Sequence, residues 1–215
     1  MSSLLTEALS LCNLAAVGIF GIVLSAAFCE IEWTRCHKLL LVGSTILMLA
    51  LQGVVSLRWG TGLARYLYPL ITHLPLWLLL AAMTRRALWP LVSVLTAYLC
   101  CQLRRWAALL VIALFPAGGT VLQDATELIV TLPILLVLIR WIAPSVRALS
   151  RSPLLLQLQF GMIPLLSYLF DYFTRIYTDL LSSGNQTAVE FMPFVCSLAC
   201  LLYTSPSPRD TERSR

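Results

Sequence analysis

Charge is scarce in this chain. Only 12% of its 215 residues are Asp, Glu, Lys or Arg, where roughly 25% is usual for a soluble domain. A water-facing surface of ordinary composition therefore has too little material. Motifs of soluble catalysis are missing as well: there is no GxxxxGK[ST], HExxH, GxSxG or glycine-rich nucleotide loop. The seven cysteines, Cys12, Cys29, Cys36, Cys100, Cys101, Cys196 and Cys200, lack metal-ligand spacing, and most sit in apolar runs, where a thiol serves as a small hydrophobe. No metal site and no catalytic residue are expected. The formal charge of +5 is spread in small groups between apolar runs, which is not a nucleic-acid signature.

What is abundant is apolar sequence, at 59% of residues. A span needs about 20 predominantly apolar residues, and the runs that approach this are 8–28, 39–57, 66–83, 87–103, 106–115, 128–142, 154–173 and one beginning near 189. The fold class expected is all-α: a polytopic transmembrane helix bundle with seven or eight spans, integral to a membrane. The run at 106–115 is short and ends in Pro116-Ala-Gly-Gly119. Barrel strands are excluded because the runs are continuously apolar rather than alternating. With eight spans and a cytoplasmic C-terminus, Arg58, Arg65, Arg104, Arg105, Arg140, Arg147 and Arg151 fall on one side, and Arg35, Lys38, Arg85, Arg86 and Arg175 on the other.

The last residues change character. The stretch from Cys200 to Asp210, ending Tyr-Thr-Ser-Pro-Ser-Pro-Arg-Asp, looks like one frame of a transposon-type sequencing adapter. The expected division is a membrane region over 1–199 and a non-native tail over 200–215, with the native sequence past Ala199 cut away.

Ionisable groups inside apolar runs mark functional positions by default. His73 is one, either a ligand contact or a histidine bonded to a neighbouring helix. Asp124 and Glu127 share a helix face at spacing three; they suit a cation or acid–base pair, or else the start of a helix. Tyr168, Asp171, Tyr172 and Arg175 form a polar stripe at spacings of three and four, a ligand-facing surface or a helix leaving the membrane.

Three segments carry a resemblance: Pro164-Leu-Leu-Ser-Tyr-Leu-Phe-Asp-Tyr172, Ile176-Tyr-Thr-Asp-Leu-Leu-Ser-Ser-Gly184 and Val189-Glu-Phe-Met-Pro-Phe-Val-Cys196. Together with Leu122-Gln-Asp-Ala-Thr-Glu127, Arg140 and Ala143-Pro144, they are similar to the membrane region of GHKL-domain sensor histidine kinases of Gram-positive bacteria. The resemblance implies a bundle in a bacterial plasma membrane that receives a small-molecule or peptide signal, a homodimer, and a kinase domain beyond Ala199. That domain would use ATP and Mg and pass phosphate to a response regulator; the region present here needs no cofactor. On this reading the ligand-sensing candidates are Tyr168, Asp171, Tyr172 and Arg175, with His73, Asp124, Glu127 and Glu190 secondary. The partners expected are the lipid bilayer and the signal, with no nucleic acid. The alternative class is a small polytopic transporter or permease subunit centred on His73, Asp124 and Glu127.

Overall fold

A computed structural model of the chain describes residues 2–114 and 119–172. These residues are helical with short connections and no strand. Helix α1 spans Ser2–Phe28, α2 Arg35–Tyr66, α3 Leu74–Thr84, α4 Leu88–Leu114, α5 Gly119–Val137, α6 Ala143–Leu149 and α7 Leu154–Tyr172. Two π-helical turns splice the series: Pro69–His73 runs into α3, and Leu138–Ile142 joins α5 to α6. Five segments are long and apolar enough to cross a bilayer, namely Ala8–Phe28, Arg35–Gly60, Leu88–Leu114, Val121–Leu149 and Leu154–Tyr172; Pro69–Thr84 is a shorter apolar helix.

Several expected boundaries move. Arg104 and Arg105 do not separate two spans, since the runs at 87–103 and 106–115 form the single helix α4, about 40 Å long at 1.5 Å per residue. Arg58 does not end α2, which continues to Tyr66 through a break at Gly60 (φ 88°, ψ 161°), a conformation open to a residue without Cβ. The run at 128–142 belongs to a longer segment that continues past Ala143-Pro144, because proline is tolerated in a first helical turn. The run near 189, Arg175, Glu190 and the tail lie outside the described residues.

Side-chain contacts fix how the helices run. Trp89 Nε1 donates to the Phe28 carbonyl, and Arg104 reaches Asn13, so α4 is antiparallel to α1. Asn13 also bonds Asp124 and Glu127, while Ser150 bonds Glu30, so the α5–α6 segment runs parallel to α1. Gly161 lies on Val92 and Tyr168 beside Tyr98, so α7 runs parallel to α4. Helix α4 is central and packs on α1, α3, α5 and α7, whereas α2 lies on the outside. The fusion of the two runs into α4 changes the parity of the loops. Arg35, Lys38, Arg85, Arg86, Arg147 and Arg151 now gather at one end of the bundle, termed here the arginine face, with Arg58 and Arg65 near the other end. The alternation expected from eight spans is thereby corrected.

The core is apolar, built around Phe20, Leu24, Phe28, Leu76, Leu80 and Trp89, but the exterior is apolar as well. Leu39, Leu47, Leu57, Ile129 and Trp141 are exposed, while Gln52, Ser25, Ser93 and Arg104 are buried. An apolar exterior of this extent suits hydrocarbon rather than water. Hydroxyls follow the same logic: Ser25, Ser93, Thr96 and Thr126 each donate to a carbonyl four residues back, so none competes for water. These features are compatible with an integral membrane protein.

Candidate functional site

Two polar clusters lie within the apolar bundle, and each is assembled from helices distant in sequence. The first surrounds His73, at the end of the π-helical turn that Pro69 opens. Its Nδ1 lies 3.0 Å from the Tyr168 hydroxyl on α7. The rings of Tyr68, Tyr98 and Tyr168 stand edge-on to the imidazole, with centroids at 4.9, 5.2 and 5.4 Å. Tyr98 and Tyr168 pack at 4.8 Å, as do Tyr168 and Tyr172. The Tyr98 hydroxyl donates to Asp171 Oδ2. Edge-to-face rings at these separations are favourable beyond their burial. Three elements, the π turn before α3, the middle of α4 and the end of α7, thus meet on one histidine.

The π turn has a local cause. Pro69 and Pro75 lack backbone donors, so the regular i to i−4 ladder cannot run through both positions. The chain widens by one residue between them, and the Leu74 N–H reaches the Pro69 carbonyl. Such single turns recur at functional positions. In α7, Pro164 also lacks a donor, one turn before Tyr168, but the helix runs on through it without a π turn.

The second cluster is charged. Arg104 is 1% exposed, and its Nη2 donates to Asn13 Oδ1 and lies 3.6 Å from Glu127 Oε2. Asn13 Nδ2 donates to Asp124 Oδ1 at 3.0 Å and to Glu127 Oε2 at 2.8 Å. Gln123 adds a longer bond to Glu127. A single amide therefore bridges a cation and two anions, its oxygen toward the guanidinium and its nitrogen toward the carboxylates. Phe20 lies under the guanidinium at 6.0 Å. Asp124 and Glu127 stand five and eight residues into α5, which has no acid in its first turn. The helix-start reading of the pair fails for that reason: their charges meet side chains of α1 and α4, not free N–H groups.

His73 and the stripe residues Tyr168, Asp171 and Tyr172 come together in one place, while Asp124 and Glu127 form a separate place with Arg104. Asn13, Tyr68, Tyr98 and Arg104 belong to these clusters and were not singled out from the sequence. Asn13 was detectable as a lone amide in an apolar run, and Arg104 as a charge inside a stretch long enough for one helix. Nothing in the sequence paired Tyr98 with Asp171.

Among the described residues no group of His, Cys, Asp and Glu could hold a metal ion. The arrangement defines a class: a helical protein with five helices, among the described residues, long and apolar enough to cross a membrane, its bundle tied by buried polar contacts. Comparison with family models, curated proteins and solved structures gives no match.

Proposed function

We propose that this chain is the membrane-embedded signal-receiving region of a sensor histidine kinase, and that the His73 cluster is its sensing element. The observation that carries the reading is the convergence of His73, Tyr98, Tyr168 and Asp171 from three separate elements. A small molecule or peptide that engages these groups binds one arrangement of the π turn, α4 and α7 better than another. It shifts their equilibrium by that difference in affinity and by no more. Helix α7 carries two of the four residues and leads toward the following segment, so a change at Tyr168 and Asp171 is well placed for relay. The basic end of the bundle supports an orientation in which that face is cytoplasmic.

The test uses the gene that encodes the chain. Its source DNA is read onward from codon 200. An open frame encoding a histidine-bearing coiled coil and an ATP-binding domain supports the proposal, and a genomic stop after codon 215 overturns it. In the full-length parent, H73A, Y98F, Y168F and D171N should each change autophosphorylation in isolated membranes several-fold while insertion is retained. Unchanged output in all four removes the cluster from sensing.

The charged network at Arg104 favours a second reading, a small transporter, because buried ion pairs beside interrupted helices also line substrate paths. That reading requires solute flux in proteoliposomes, abolished by E127Q; the sensor reading requires none.

A further inference from the structure

A pocket of about 140 Å³ opens on the arginine face where the connections of the bundle meet. Glu30 enters it from the α1–α2 connection, Thr84 and Arg86 from the end of α3 and the turn beyond, Trp89 and Pro90 from the start of α4, and Ser150 from the turn before α7. Opposite charges stand across this space. Arg86 spends one hydrogen bond, Nη1 to the Ser150 carbonyl at 3.3 Å, and makes no ion pair with Glu30 among the described residues. Glu30 leans instead on Arg151, whose Nε donates to it at 2.7 Å, and on the Ser150 hydroxyl at 3.3 Å. The Arg151 hydrogen bond chiefly, and the Arg86 charge in smaller part, hold the Glu30 carboxyl below its ordinary range. The carboxylate is therefore ionised at neutral pH.

A cation and an anion held apart by a pocket are complementary to a dipolar ion. The Trp89 N–H is committed to the Phe28 carbonyl at 3.1 Å, so its ring serves as an apolar wall. The volume is well above the roughly 10–15 Å³ that one water needs on the same measure. The pocket lies at the ends of membrane-length helices, the depth at which lipid headgroups sit. Leu39 and Leu40 in the second turn of α2, and Leu154 and Leu155 in the first turn of α7, expose apolar surface at the same end of the bundle, which suits acyl chains. Arginine matches a phosphate by paired N–H donors, and a primary ammonium offers N–H donors to a carboxylate.

We propose that this pocket binds the headgroup of an amine-bearing zwitterionic phospholipid, with the phosphate on Arg86 and the ammonium on Glu30. The inference does not depend on the sensing proposal. A soluble phosphate–amine zwitterion shares the same chemistry, and the experiment separates the two sources.

The chain is purified in detergent and exchanged with phosphatidylethanolamine, phosphatidylglycerol or phosphatidylcholine, and retained lipid is counted by native mass spectrometry. Phosphatidylethanolamine should be retained about tenfold better than either other lipid, the worth of one charge-assisted contact. E30Q should remove that preference, and R86Q should lower retention of all three lipids, while helix content by circular dichroism stays unchanged. Equal retention of the three lipids by the unaltered chain overturns the proposal without recourse to any variant. So does a preference that survives E30Q. If O-phosphoethanolamine binds while the lipid does not, the lipid is overturned as the occupant.

Discussion

The Arg104 guanidinium is the costliest single group to place in this bundle. Removing a charge from water costs several kcal/mol even after relaxation, and only good partners offset it. Asn13 and Glu127 are those partners, and Asp124 joins through the shared amide. Truncating the cation leaves two carboxylates facing each other across an amide in an apolar surrounding. R104A is therefore expected to destabilise the folded bundle by about 3–5 kcal/mol, the range for breaking a buried pair from one side. R140A, at an exposed arginine of the same bundle, serves as the comparison; a loss as large as that of R104A would show the network to be incidental. Thermal unfolding in detergent reads the difference. This site was half legible in the sequence. The two acids stood out by their spacing, but the adjacent arginines looked like a loop because paired charges usually end a span. Only helix continuity through both turns Arg104 inward, and nothing in a lone apolar run says which neighbour will supply Asn13.

At the scale of the element, lipid removes the usual reason for helices to associate, since their exteriors are as apolar as the solvent. Close packing and polar ties do the work instead. Gly161 shows the first. A Cβ placed there would lie 2.8 Å from Val92 Cγ2, well inside contact, and Val92 is buried and stiff at χ1. G161A should cost about 1–3 kcal/mol by overpacking, and V92A should restore most of it, a coupling that a double-mutant cycle measures. Gly18 supplies the contrast. Its added Cβ would meet the mobile end of Leu49 at the same 2.8 Å, so G18A should cost less than G161A. Equal penalties, or no recovery with V92A, would mean that α4 and α7 are not held by this contact. The helices themselves were readable, because apolar runs bounded by charges mark them well: residues 8–28 and 154–173 recur nearly unchanged as α1 and α7. The break at Gly60 and the π turns at Pro69 and Leu138 were not. The π turns lie beside Pro69, Pro75 and Pro144 and the break lies at a glycine, and a count of hydrophobic residues is blind to that.

For the whole molecule, the decisive consequence of a single α4 is orientation. Had a loop interrupted it at Arg104, the basic residues after Arg140 would face away from Arg35 and Arg86, and the charges on the two sides would nearly balance. With α4 continuous, Arg35, Lys38, Arg85, Arg86, Arg147 and Arg151 share one face, and in a bilayer an excess of Lys and Arg in short connections predicts that this face is the cytoplasmic one. The N-terminal end of α1 and the far end of α4 then point outward. Cys36 reports on this directly. It is exposed in the first turn of α2, beside Arg35, whereas Cys29 is buried and Cys100 and Cys101 are half-buried against the bundle. A membrane-impermeant maleimide should leave Cys36 unmodified in intact cells and label it in inside-out vesicles, with C36S as the blank that removes signal from the other thiols. Labelling in intact cells, absent from C36S, would reverse the orientation. A cytoplasmic kinase would then need an odd number of further crossings to become an even one, and the lipid pocket at Glu30 and Arg86 would face the outer leaflet.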